Sequence, residues 1–330
     1  MNDLTHDSGR ALPVTALSPL TGLGVVDDEW ARAAFAGSYP IVRRLGMGAS
    51  GAVYLARDNA LQRVVALKVL APGLAVDPAA RQRFQVEARI NARLCHPNIV
   101  PVHAIGEQDG TLYLTMRYVP GMPLAYHVWR GERWPVDQVA RVLADVASAL
   151  HYAHGEQVVH RDVKPENILL DKATGAAMLA DFGIARGVSL NAMRMDEMRA
   201  ERDLLWGTPH FMAPEQASAT LEIDGRADLY ALGVIGFALL AGRLPFEGGT
   251  VLDLMAQHTR DAPPNLADLA DPAARHLVPV IMRCLAKHPN DRWSDGKSLR
   301  TAILEAGGAP APKPSGRSGW GGLFRPRPAK

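Results

Sequence analysis

The chain has 330 residues, 48% of them apolar, enough to build a sizeable core in one large domain or two small ones. Its 36 basic and 34 acidic side chains leave a formal net charge of +2, which argues against charge-driven binding to nucleic acid or to an anionic membrane. Two cysteines, Cys95 and Cys284, are too few for a disulfide framework and are expected as buried, reduced thiols.

The opening MNDLTHDSGR carries Asp3 and Asp7 where a signal peptide would carry Lys or Arg, and no clean apolar run follows. Residues 1–37 mix Pro, Gly, Ser and Thr without a sustained period and read as an irregular leader, with a short helix near Asp27 to Phe35. Short β-like runs follow at Ala52–Ala56, Val64–Leu70, Val100–Ile105 and Leu112–Tyr118, interrupted by a helical stretch from about Pro78 to Leu94. From Leu124 onward the texture turns helical. Val139, Val142, Leu143, Val146 and Leu150 recur at helix spacing and mark a buried face.

The longest uncharged apolar run, Leu229 to Gly242, lies between Asp228 and Arg243. It is shorter than the ~20 residues of a spanning helix and is predicted to be a core helix. No membrane span is expected, and the protein is expected in the cytoplasm, its input coming from there or from a partner bound by either end. Residues 307–330 are Pro/Gly-rich and basic and cannot build a core. Trp320, Leu323 and Phe324 within them are either incidental composition or a short docking motif for a partner. The predicted organisation is a leader (1–37), one domain (38–306) divided into a strand-rich lobe (about 38–120) and a helix-rich lobe (about 121–306), and a tail (307–330).

Four strings carry chemistry. In Gly46-Met-Gly48-Ala-Ser-Gly51-Ala-Val53, glycines permit tight turns and close backbone approach to phosphate oxygens. A dinucleotide-binding turn uses the same string to open a helix. Here AVYLARD follows and reads as a strand, which favours a β-hairpin lid over phosphates. In Val65-Ala66-Leu67-Lys68 an ammonium ends an apolar strand shortly after that lid, where it could clamp α- and β-phosphates. Glu87, in the helix FQVEARINARL, is the natural carboxylate to brace it. In His160-Arg161-Asp162-Val163-Lys164-Pro165-Glu166-Asn167, Asp162 can orient an attacking hydroxyl and accept its proton. Lys164 can neutralise the γ-phosphate, and the Asn167 amide oxygen is a hard ligand suited to Mg²⁺. Asp181-Phe182-Gly183 supplies a second Mg²⁺ ligand in Asp181.

These strings, in this order and with Ala213-Pro214-Glu215 after them, resemble the eukaryotic-like (Hanks-type) protein kinases, over roughly residues 39–305. HPNIV, LTMRYVPG, GTPHFMAPEQ and AKHPNDRW are most similar to bacterial serine/threonine members. The resemblance implies an α+β, bilobal protein kinase fold, with a small β-rich N-lobe carrying one main helix and a larger helical C-lobe. It implies ATP and Mg²⁺, with Mn²⁺ as an alternative ion, and protein substrates. Leu45, Gly46, Gly48, Gly51, Val53, Ala66 and Lys68 would line the nucleotide site. Met116 would be the gatekeeper, and backbone groups of Arg117 to Val119 would meet the adenine edge. Arg117 stands where the family usually has an acidic residue, a change that a main-chain contact tolerates.

Glu215 would pair with Arg292, Asp228 would hold the catalytic loop, His160 would be structural and Phe182 core. Lys164, and Thr208 reaching Asp162 and Lys164, resemble the Ser/Thr branch. The segment between Gly183 and Trp206 departs from the family pattern, with Ser189 and no Thr. Either one of Asp196, Glu197, Glu201 or Asp203 supplies the charge that loop phosphorylation would otherwise give, or these acids form a solvated charged helix with no regulatory role. The expected function is Ser/Thr protein phosphorylation, including autophosphorylation. The alternative is a pseudokinase or docking scaffold that binds ATP without efficient transfer.

Overall fold

The computed structural model describes residues 26–48, 51–71, 78–182, 209–218 and 223–307. Its first element is a short helix, α1 (Asp28–Ala34), whose start is capped by Asp27 accepting from the Trp30 N–H. Then come β1 (Ile41–Gly48), β2 (Gly51–Asp58) and β3 (Arg63–Leu70), the helix α2 (Pro78–Asn91), and β4 (Val102–Gln108) and β5 (Thr111–Arg117). The five strands form one antiparallel sheet in the order β1-β2-β3-β5-β4.

β3 is central and largely buried on both faces, so it reads as a continuous apolar run. Its alternation still separates two cores. Val65, Leu67 and Val69 join Ala52, Tyr54, Ala56, and Val26, Ala31 and Phe35 from around α1. Ala66 and Leu70 point the other way, toward Phe84 of α2 and the interlobe side. Lys68 shares their parity and so emerges on the same face. The short helix near Asp27 to Phe35 is therefore present, and it is packed against the sheet rather than trailing from it.

The second lobe begins with β6 (Gly121–Pro123) and α3 (Ala125–Val128), followed by α4 (Val136–Gly155) and the strands β7 (Ile168–Asp171) and β8 (Ala177–Leu179). β6, β7 and β8 form a small antiparallel sheet. Helices α5 (Pro214–Ser218), α6 (Gly225–Ala241), α7 (Val251–Arg260), α8 (Val278–Cys284) and α9 (Gly296–Gly307) complete it. The predicted face of α4 is buried at all five positions. The apolar run from Leu229 becomes α6, buried from Ala227 to Ala241 and ended by Gly242 in the left-handed region (φ 72°).

Two glycines let neighbours approach α6. A Cβ on Gly233 would sit 2.4 Å from the Cβ of Cys284, and one on Gly236 would sit 2.9 Å from Leu143 Cδ1. Cys284 is buried there, and burial pushes its thiol up to about 12. The other thiol corrects the sequence expectation. α2 ends at Asn91, the chain turns outward, and Cys95 is exposed. No helix among the described residues is long and apolar enough to cross a membrane.

Candidate active site

The roof of the site is the β1–β2 hairpin, closed in register at Gly48 opposite Gly51. Its glycines have different reasons. Gly51 has φ 135°, and a Cβ there would strike the Val69 carbonyl oxygen at 2.0 Å, so the sheet itself requires glycine. A Cβ on Gly46 or Gly48 would meet nothing within 4 Å. The protein leaves open space above those two backbones, as a loop that must admit a phosphate chain would.

Under the hairpin lies an apolar slot. Leu45, Val53, Ala66, Met116 and Val119 belong to one cluster, with Leu169, Met178 and Ala180 beneath them. Five residues expected at the nucleotide site are thus brought together. Leu169, on the floor, was missed by sequence reasoning. Its signal was its place in the apolar run Ile168–Leu170 that directly follows Asn167. At the back of the slot, neither the N–H nor the C=O of Val119 takes a backbone partner among the described residues. A buried strand end with unpaired backbone groups can serve a planar heterocycle edge. The Arg117 side chain leaves the slot clear: its guanidinium pairs with the buried Asp171 at 3.1 Å.

The catalytic loop is held by its backbone. Asp228, in the first turn of α6 and 1% exposed, accepts from the N–H of His160 at 2.8 Å and of Arg161 at 2.7 Å. His154 Nε2 meets the same carboxylate at 2.8 Å. From the other side Gln216 donates to the Arg161 carbonyl at 3.0 Å. These contacts hold Arg161 at φ 63°, a left-handed conformation costly for a non-glycine residue. The fully buried His160 donates from Nε2 to the Ala180 carbonyl (3.0 Å) and accepts the Asp162 N–H at Nδ1 (3.2 Å). Burial lowers its pKa, so the imidazole is neutral with both nitrogens used. That is a structural histidine, as the sequence reading held.

The polar side chains converge below the slot. Lys164 Nζ lies 2.8 Å from Asp162 Oδ2. Asn167 donates from Nδ2 to the Asp162 carbonyl at 2.8 Å, which leaves Oδ1, a hard oxygen donor, turned away from that bond. Lys68 Nζ is 2.9 Å from Asp181 Oδ2. The other carboxylate oxygen, Asp181 Oδ1, is buried without a hydrogen-bond partner among the described residues. An orphaned buried carboxylate oxygen is costly unless a cation meets it. An amide oxygen and a carboxylate oxygen, beside a space for phosphates, suit a small hard cation that takes one or two protein ligands. Among the described residues no cluster of three or more His, Cys, Asp or Glu forms a separate all-protein metal cage.

Arg292 fixes the C-lobe end of the site. It donates to both oxygens of Glu215 at 2.7 Å, with both side chains almost fully buried. The expected partner of Lys68, Glu87, is on α2, but its side chain lies outside the described residues. So do Thr208 and the stretch 183–208 with Ser189 and the four candidate acidic residues.

Residues 39–304 match the protein kinase domain family. Among curated relatives, the serine/threonine-protein kinase Pkn1 of Myxococcus xanthus is 41% identical over 274 residues, covering 82% of this chain and 38% of its own length. The serine/threonine-protein kinase PknF of Mycobacterium tuberculosis is 42% identical over 270 residues, covering 78% of this chain and 54% of its own. This chain therefore spans about half or less of the curated relatives it matches. Among solved structures, the Mycobacterium tuberculosis PknI kinase domain superposes with a TM-score of 0.63 at 36% identity, covering 82% of this chain and 96% of that one. The bilobal fold, the ordered motifs and these relatives agree, and the chain belongs to the eukaryotic-like (Hanks-type) bacterial serine/threonine protein kinase family.

Proposed function

We propose that this chain transfers the γ-phosphate of ATP to serine and threonine hydroxyls of proteins, its own included, in the cytoplasm. The observation that carries this reading is the meeting of Asp162, Lys164 and Asn167 on one clamped loop facing the Lys68–Asp181 pair beneath the apolar slot. Adenine would lie between Leu45, Val53, Ala66 and Leu169, with its edge on the backbone from Arg117 to Val119 beside the Met116 gatekeeper. The Gly46 and Gly48 backbones would cover the phosphates, and Lys68, braced by Glu87, would hold the α- and β-phosphates.

Asn167 Oδ1 and Asp181 would hold Mg²⁺, or Mn²⁺ in its place, which when bound neutralises charge on the phosphate oxygens. Asp162 orients the substrate hydroxyl in line and takes its proton as the oxygen–phosphorus bond forms. The bond to the bridging oxygen breaks and ADP leaves, while Lys164 stabilises the charge on the migrating phosphoryl group. Lys164 two residues after Asp162, the expected reach of Thr208 to both, and the names of the relatives favour serine and threonine over tyrosine. Trp320, Leu323 and Phe324 of the tail are proposed as the docking point for a partner.

The test is transfer of labelled γ-phosphate from Mg-ATP to a generic basic protein, wild type beside Asp162→Asn, with phosphoamino acids identified. Label on Ser or Thr that disappears in the variant is expected. Equal transfer by the variant, or label on Tyr alone, would overturn the reading.

A further inference from the structure

Asn91 is the last residue of α2, 6% exposed, in a helix whose neighbouring positions Arg89 and Ile90 face solvent. Asparagine is a poor helix residue, and its burial costs free energy unless its amide is paired. The pairing is specific: Asn91 Nδ2 donates to the backbone carbonyl of Phe182 at 2.7 Å, across 91 positions of sequence. Among the described residues no other side-chain hydrogen bond joins α2 to residues 180–182.

Those three residues bear a load. Asp181 stands at φ 59°, a left-handed conformation that a non-glycine residue keeps only when its flanks are fixed. Before it, the Ala180 N–H donates to the Asn167 carbonyl at 2.8 Å, and the Ala180 carbonyl accepts from His160 at 3.0 Å. After it, the Phe182 ring is buried against His160, with centroids 4.6 Å apart, and the Phe182 carbonyl is held by Asn91. The ring contact fixes where Phe182 lies. The carbonyl bond fixes how the peptide after Phe182 is turned, so that ring and carbonyl together hold in place the residue that directly follows Asp181.

We propose that Asn91 is a positioning residue that couples the seat of α2 to the cation-holding carboxylate of Asp181, by fixing the Phe182 peptide. This rests on the kinase reading of the site. A leucine at this place would fill the space but leave the Phe182 carbonyl buried without a donor. An alanine would lose both the packing and the donor. The two variants therefore separate a hydrogen-bonding role from a packing role.

The experiment uses the full chain as wild type, Asn91→Leu and Asn91→Ala. Thermal unfolding is followed without nucleotide, with ADP, and with ADP plus Mg²⁺; the Mg²⁺ concentration for half-maximal phosphate transfer at saturating ATP is measured alongside. The expected result is that both variants keep the stabilisation by ADP alone and lose most of the increment added by Mg²⁺. Both should need about tenfold more Mg²⁺ for half-maximal transfer, the size of one buried hydrogen bond, with KM for the protein substrate unchanged. Wild-type Mg²⁺ behaviour in Asn91→Leu, with a defect in Asn91→Ala alone, would assign the residue to packing and overturn the proposal. The ADP-with-Mg²⁺ increment is read without transfer, so a wild type that binds Mg-ADP but transfers nothing would count against the kinase reading and leave the Asn91 coupling to be judged by the melts.

Discussion

Replacing Arg292 by methionine removes one guanidinium and strands four acceptor groups. All five of its N–H donors are used: two on Glu215 at 2.7 Å, and one each on the carbonyls of Ala286 (2.8 Å), Arg226 (3.0 Å) and Lys287 (2.9 Å). The guanidinium also lies over the Tyr230 ring, 4.9 Å from its centroid. Breaking one side of a buried pair costs ~3–5 kcal/mol, because the other charge stays buried. At ~2–4 °C per kcal/mol for a domain of this size, the melting temperature should fall by roughly 6–20 °C. Arg292→Lys keeps the charge but cannot reach five acceptors at once, so it should lie between the two.

The double variant Arg292→Met with Glu215→Leu removes the stranded carboxylate but not the three carbonyls. It should therefore recover only part of the loss. Thermal and urea unfolding of wild type, Arg292→Met, Glu215→Leu and the double variant completes a cycle. A shift under about 2 °C for Arg292→Met, or a double variant as stable as wild type, would refute the claim that this arginine ties three carbonyls of two backbone segments as well as one acid.

Two further outcomes follow from burial. His258, His160, His210 and His96 are all held below their ordinary pKa by burial, His258 at about 3 with help from the Lys287 charge. Below about 6.5 the unfolded chain gains protons at these sites and the folded chain does not, so stability should fall from there toward about pH 3. Asp145 works the other way: burial raises it to about 6, so the fold gains a proton there as pH falls from about 6 toward 4 and is favoured. One acid does not balance four histidines. The melting temperature should drop between pH 7.5 and pH 5, and a flat profile would contradict the burial argument. Separately, Gly233→Ala would press a methyl group onto the Cys284 Cβ and should destabilise by about 1–3 kcal/mol in urea unfolding, despite the better helix propensity of alanine.

What could be read in the sequence was what is encoded locally. The catalytic loop, Asp181-Phe182-Gly183 and the glycine hairpin are contiguous strings, each bringing its residue types at a fixed spacing. α4 and α6 were visible because each presents its apolar face through its own periodicity. β1 was harder, because Val42, Arg43 and Arg44 are exposed and its pattern is that of an edge. What stands beside Lys68 is set by how α2 and residues 180–182 sit around β3, and no short window holds that information. Glu87 was named for its charge and its helix, and its side chain lies outside the described residues, among which Asp181 stands beside the ammonium. Asn91 went unremarked in the sequence because its acceptor lies 91 positions away. Cys95 was misjudged because cysteines are usually buried, and only the end of α2 at Asn91 turns it outward.

Helix α1 bears on where this domain can be cut. The similarity to the family begins at residue 39, yet Val26, Ala31 and Phe35 cover the outer face of the sheet, and Asp28 accepts from the Tyr54 hydroxyl at 2.8 Å. A fragment started where the alignment starts would uncover Tyr54, Val65, Leu67 and Val69 together, turning the back of the N-lobe into an adhesive apolar surface. The physical edge of the folding unit lies ahead of its recognisable one, at a helix that the alignment leaves out.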